Sequence, residues 1–141
     1  MSLKAILSAV LFAPTLALAA LPAGTMYKDP YCGCCGEHAK YLREAGFDIK
    51  EVVRQDMQSI KQQYGTDIAQ SCHTIVMQGY AIEGHVPANA IRKLLKEKPN
   101  AKGITVSGMP ATSPGMGDYK VGTIAVEIIG KDGSLKPYGK F

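Results

Sequence analysis

The stretch "GTMYKDPYCGCCGEHAKYLREAGF", residues 24–47, decides the fold. Its opening, "GTMYKDP", reads as a short strand ending at Pro30. Its close, "CCGEHAKYLREAGF", reads as a helix: Ala39, Leu42 and Ala45 recur at helical spacing and Gly46 closes it. The chain beyond continues this strand–helix rhythm. "DIKEVVRQ" (48–55) tends towards alternation, with Ile49, Val52 and Val53 apolar. "DMQSIKQQYG" (56–65) offers Asp56 as N-cap and Gly65 as stop, with Met57, Ile60 and Tyr64 on one face. "HTIVMQGYAIEG" (73–84) reads as a hairpin around Gln78-Gly79. "PANAIRKLLKEKP" (87–99) is a helix that starts near Pro87 and stops before Pro99. The order is β-α-β-α-β-β-α. A helix between the first two strands argues for a parallel pair, and the hairpin adds antiparallel edges. This is the thioredoxin-like order, so the expected fold is α/β with a thioredoxin-like core. From Gly103 the chain adds a Gly/Pro/Ser-rich loop containing Met109 and Met116, flanked by short strands. A C-terminal β-hairpin extension, turning at Lys131–Ser134, completes it.

The remaining composition narrows the classes. With 141 residues the chain can bury one real core. The net charge of +4 is mild, and the basic residues are spread over helix-like segments, which leaves no nucleic-acid footprint. Residues 1–20, "MSLKAILSAVLFAPTLALAA", begin with Lys4, continue apolar and end on the small-x-small pattern Ala17-Leu18-Ala19. Pro14 interrupts the apolar run, which is too short to span a bilayer. The expectation is a signal peptide over residues 1–19 and a single secreted domain over 20–141, free of the membrane after cleavage. There is no nucleophile elbow, H-E-x-x-H or P-loop pattern to argue for a hydrolase.

Secretion changes the reading of the four cysteines, since outside the cytosol thiols are usually paired or metal-bound. Four cysteines allow two disulfides in three connectivities. Adjacent Cys34 and Cys35 do not choose partners freely, so a plain disulfide staple handles the cluster badly. Cys32 and Cys35 have C-x-x-C spacing at a helix start, where backbone amides and the helix dipole favour thiolate. That suits both redox and metal chemistry. Cys34 separates the two, because a dithiol exchanger needs one attacking and one resolving thiol and a third competes. Three clustered soft thiolates suit Cu(I), and bridging sulfurs with more than one ion fit such a tight turn better than one ion does.

A thioredoxin-like frame brings the residues before the third strand against this turn, commonly with a cis-proline. Here they read Ser71-Cys72-His73-Thr74, with Cys and His where proline would stand. The loop after the fourth strand, Glu83-Gly84-His85-Val86-Pro87, approaches the same spot. The candidate metal ligands are therefore Cys32, Cys34, Cys35, Cys72 and His85, with His73, which strand alternation can turn away. Cys72 also reads as a small buried hydrophobe or as a partner of a cluster cysteine. His38, on the helix after the cluster, reads as a surface residue or as a hydrogen-bond support for a ligand. Met26, Met57 and Met77 fall on apolar faces and read as core. Met109 and Met116 lie in "GMPATSPGM", where no periodic face demands them. They are thioether candidates, or anchors that pack the loop onto the core.

Taken together, "CGCCG", "SCHT", "GYAIEGHVP" and "GMPATSPGM" resemble the CopG copper-resistance family, small secreted bacterial proteins formerly described as a domain of unknown function. The resemblance runs from about Met26 to the C-terminus. It implies a thioredoxin-like fold and a periplasmic role in copper homeostasis or resistance, with copper, chiefly Cu(I), as the ion. It implies Cys32, Cys34 and Cys35 as the firmest ligands, then Cys72 and His85, then Met109 and Met116. It also implies dealings with other periplasmic copper-handling proteins. Two further readings stand beside it: a thiol–disulfide or copper oxidoreductase using Cys32-x-x-Cys35, and a disulfide-stabilised domain that binds another protein. Zinc competes chemically for Cys and His.

Overall fold

Strand β1, Ala23–Lys28, is flanked by β2, Asp48–Val53, on one side and by β3, His73–Met77, on the other. The computed structural model describes residues 20–141; the expected signal peptide lies outside the described residues. β1 runs parallel to β2 and antiparallel to β3. β3 turns into antiparallel β4, Tyr80–Glu83, through Gln78 and Gly79. Both turn residues have positive φ, 48° and 82°, as a type I′ hairpin turn requires. β5, Ala101–Thr105, pairs parallel to β4, and β6, Ala125–Gly130, and β7, Leu135–Lys140, add antiparallel strands. The result is one seven-stranded sheet in the order β2-β1-β3-β4-β5-β6-β7. The C-terminal hairpin expected as an extension thus continues the same sheet.

Three helices complete a mixed α/β fold: α1, Gly33–Glu44, between β1 and β2; α2, Met57–Tyr64, between β2 and β3; and α3, Ala88–Glu97, between β4 and β5. Their ends follow local chemistry. The Asp56 carboxylate accepts from the Ser59 amide (3.0 Å), and Gly65 takes the left-handed conformation that stops α2. α1 ends at Glu44 with Ala45 as its cap, and Gly46, at φ +94°, closes it as the sequence indicates. Phe47 N–H donates back to the Leu42 carbonyl (3.0 Å).

The period-2 alternation of the strands divides the molecule into two faces. Met26, Ile75, Met77 and Ile82 bury with Ala39 and Leu42 of α1 and Ile91 and Leu94 of α3 in one apolar cluster. Burial of each Met, Leu or Ile side chain among them is worth about 1.5–3 kcal/mol. The intervening residues face α2: Tyr27 stacks on Tyr64, and Thr74 and Glu83 meet Lys61. His73 shares the parity of Ile75 and Met77, so it faces α1, whereas Thr74 faces α2. Among the described residues no helix is long and apolar enough to cross a membrane.

Candidate metal centre

Four sulfur atoms, from Cys32, Cys34, Cys35 and Cys72, lie within 4.8 Å of one another. Cys32 immediately precedes α1, so Cys34 and Cys35 fall in its first turn. Cys32 is joined to Cys35 by a disulfide, and Cys35 is fully buried. Cys34 and Cys72 are free thiols. Cys34 Sγ lies 3.6 Å from Cys32 Sγ and 3.8 Å from Cys72 Sγ, so the sulfurs form a chain from the helix turn to the entry of β3. Among the described residues there is no cis peptide bond, and Cys72-His73 stands where the expected frame would carry a cis-proline.

The second half of the centre is built from histidine. His38, His73 and His85 are fully buried, with ring centroids 4.9 to 5.0 Å apart. Each reaches the group from a different element: His38 from α1, His73 from the first position of β3, and His85 from the loop after β4. Gly84 makes that loop. Its φ is +79°, and a Cβ there would stand 2.5 Å from Ser71 Oγ and 2.7 Å from the Val106 carbonyl, so only glycine lets the chain turn and aim His85.

Backbone carbonyls fix the tautomers. His38 Nε2–H donates to the Val86 carbonyl (3.0 Å), which leaves Nδ1 as an acceptor. His73 Nε2–H therefore donates to His38 Nδ1 (2.8 Å), leaving His73 Nδ1 with a free lone pair. His85 Nδ1–H donates to the Pro114 carbonyl (2.6 Å), leaving Nε2 with a free lone pair. Both lone pairs point at one atom: Cys72 Sγ lies 3.1 Å from His73 Nδ1 and 3.0 Å from His85 Nε2. One S–H proton serves one of these nitrogens and leaves the other without a donor. A cation with a thiolate at Cys72 satisfies all three. Imidazole nitrogen held through its other N–H, beside thiolate sulfur, is the donor chemistry of copper and zinc sites.

Electrostatics keep the nitrogens available. Burial lowers His38 to about 3, helped by the neighbouring His85 and opposed by the Val86 hydrogen bond. Burial, then the other two histidines, hold His73 well below the usual imidazole range, and burial lowers His85. All three are neutral at physiological pH. Burial, together with adjacent Cys34, pushes the Cys72 thiol up to about 12, so a metal must displace its proton to bind there.

A buried polar network aims the Ser71–Cys72–His73 segment. The Glu83 carboxylate, fully buried, accepts from Ser71 N–H (2.8 Å), from Thr74 Oγ1–H (2.6 Å) and from Lys61, itself almost fully buried. Lys61 also donates to Thr74 Oγ1 (3.3 Å). The loop carrying the methionines is tied down at two points. Ser71 Oγ–H donates to the Gly108 carbonyl, and Pro114 accepts from His85. Gly115, at φ +82°, lies so close to α1 that a Cβ would stand 2.6 Å from the His38 backbone nitrogen.

The structure thus brings together Cys32, Cys34, Cys35, Cys72, His73 and His85. Met109 is 57% exposed, next to Gly108, and Met116 lines a surface cleft along α1 with Glu37, Lys40, Tyr41 and Glu44. His38 is no surface residue. It shares the buried face of α1 with Cys35, Ala39 and Leu42, and that spacing was the available signal. Lys61 and Glu83 gave no such signal, since their pairing exists only where α2 lies against β3 and β4.

The family model described as a protein of unknown function, DUF411, matches residues 69–116. That span holds Cys72, His73, His85, Met109 and Met116, and leaves out the helix-turn cysteines. Two solved structures of copper resistance protein CopG, Form 1 and Form 2, are each 34% identical to the chain. Each superposes with a TM-score of 0.78 over 86% of this chain and 98% of that chain. The chain belongs to this CopG/DUF411 family. Comparison with curated proteins gives no match.

Proposed function

We propose that this family member is a secreted, periplasmic copper-binding protein of copper homeostasis or resistance. It holds Cu(I), one or several ions, through Cys32, Cys34, Cys35 and Cys72 with His73 and His85. The observation that carries the reading is the meeting at Cys72 of two donor groups: the four cysteine sulfurs, and two imidazole nitrogens, one oriented by the Pro114 carbonyl and the other by the His38 ring. Soft thiolate and imidazole donors favour Cu(I) over hard cations. The CopG likeness favours copper over zinc. The frame is read as thioredoxin-like, supported by the β2-β1-β3-β4 order with parallel, antiparallel and antiparallel pairing. Met109 and Met116 are proposed as thioether donors carried by the loop that closes over the histidines. A signal peptide over residues 1–19 and exchange with other periplasmic copper-handling proteins belong to the same reading.

Anaerobic Cu(I) titration of the reduced chain, with metal analysis of the isolated complex, tests it. Tight uptake is the expected result, with the share held by the helix-turn thiolates lost in Cys34→Ser/Cys35→Ser. No uptake sinks it.

One observation favours a second reading. The disulfide Cys32–Cys35 stands at the start of a helix, the placement of a C-x-x-C redox pair. That arrangement fits a thiol–disulfide or copper oxidoreductase. Turnover of a model disulfide no faster than with a small free thiol counts against the thiol–disulfide form.

A further inference from the structure

The four cysteines of the centre are held in two chemical states. Cys32 and Cys35 are joined; Cys34 and Cys72 are thiols. A disulfide sulfur has no proton to lose and carries no charge, so neither Cys32 nor Cys35 can act as an anionic, ion-bridging ligand in this state. The nitrogen side is untouched by that loss. Cys72 Sγ, His73 Nδ1 and His85 Nε2 lie within 4.8 Å of one another, and the contacts that orient them come from Val86, Pro114, His38 and the Glu83 network. None of these contacts involves Cys32 or Cys35.

We infer that the chain carries two nested copper sites sharing Cys72. The first is a one-ion site of Cys72, His73 and His85, complete while Cys32 and Cys35 are joined. The second is a larger thiolate site that exists only once that disulfide is opened. The inference rests on the copper reading above and adds to it a dependence of copper capacity on the redox state of one cysteine pair. Cys34 connects the two sites: it lies 3.8 Å from Cys72 Sγ, at the edge of the small site, and 3.6 Å from Cys32 Sγ, where it can bridge into the large one. Opening the disulfide takes two electrons and two protons, one of each for each sulfur. A small dithiol supplies both and is itself oxidised to its cyclic disulfide. The opening adds two thiols beside Cys34, one of them the fully buried Cys35.

The test compares two preparations of the chain under anaerobic conditions. One is isolated with the disulfide intact, the other is reduced with dithiothreitol and freed of it. Each competes for copper against Cu(I)–bicinchoninate. The expected result is one copper per disulfide-form chain and more than one per reduced chain. In the disulfide form His85→Gln should weaken uptake at least tenfold, while in the reduced form it should leave most of the capacity in place. Long-range 1H–15N correlation on the unmodified disulfide-form chain gives a reading that survives a variant that fails to fold. His73 Nδ1 and His85 Nε2 should begin as lone-pair nitrogens and both shift on the first equivalent of copper, with His38 Nε2 staying protonated. Several coppers on a reduced chain but none on the disulfide form overturns the inference and leaves the copper reading standing. Equal capacity in both forms, or one copper that moves neither nitrogen resonance, overturns it as well. No copper on either form overturns the copper reading and the inference with it.

Discussion

The two halves of the centre are built in opposite ways. On the helix side, donors come from one short run, Cys32–Cys35, half-buried except for Cys35 and able to change chemical state. On the strand side, donors come from separate elements, each imidazole fully buried and held by a backbone carbonyl or by a neighbouring ring. The first half has many sulfurs and little orientation. The second has few donors, each with its lone pair aimed. The contrast teaches that one centre can combine capacity with selectivity: under the proposed function, clustered thiolates would set how much soft metal fits, and pre-oriented nitrogens which coordination is offered first.

Cys72 belongs to both halves, so its removal should break the comparison most completely. Cys72→Ser is expected to lower Cu(I) affinity of the disulfide-form chain by more than the roughly 100-fold seen for supporting residues. Chelator competition on both redox forms would read it. Loss from the disulfide form alone would show that the helix side stands without the shared sulfur.

Next in size is the network beneath the strand side. Lys61→Ala leaves the Glu83 carboxylate buried with its charge partner gone, and breaking such a pair costs about 3–5 kcal/mol. Denaturant unfolding measures the cost. The same variant should weaken copper binding to the disulfide form more than to the reduced form, because Glu83 orients the Ser71–Cys72–His73 segment. An unfolding midpoint equal to that of the unaltered chain would remove this network from the account.

A smaller effect is expected at His38, which would act on a bound ion only through His73. His38→Gln should lower copper affinity of the disulfide form by about 10–100-fold, the range for groups that orient a ligand, with stoichiometry unchanged. The decisive reading is the His73 tautomer by 15N shift. A His73 that keeps Nε2–H without His38 would show the ring is oriented by something else.

The gentlest probe is pH. His38, His73 and His85 all have folded values below the ordinary imidazole value of 6.5. Above 6.5 both folded and unfolded chains carry neutral rings, and the histidines contribute nothing to the pH dependence. As pH falls below 6.5 the unfolded chain binds protons that the folded chain refuses, so metal-free stability drops. The slope is about 1.4 kcal/mol per pH unit for each histidine fully engaged, and for His38 it ends near pH 3. Thermal or urea unfolding from pH 7.5 to 4.5 checks this. A flat profile would mean that the rings are more solvated than their burial indicates.

What was legible in the sequence was the part governed by neighbours in the chain. Apolar spacing in α1, the Asp56 cap, the Gly65 stop and the Gln78-Gly79 turn each depend on a few adjacent residues, and the structure has them as read. The clustering of Cys32, Cys34 and Cys35 is itself a sequence fact. The family also followed from sequence, through four short motifs in order. Tertiary structure decided everything that depends on direction. His73 faces α1 because it shares the parity of Ile75 and Met77, and Cys72 meets both imidazoles because it precedes the strand and escapes that alternation. Of the two readings of His38, surface residue or hydrogen-bond support, burial against His73 selects the second. Lys61 and Glu83 proved to be a buried pair only when α2 was laid across β3 and β4. The physical reason is the same in each case. A residue's type and spacing fix which donors it brings, but a lone pair's direction depends on which carbonyl takes the opposite proton, and Val86 and Pro114 come from elsewhere in the chain.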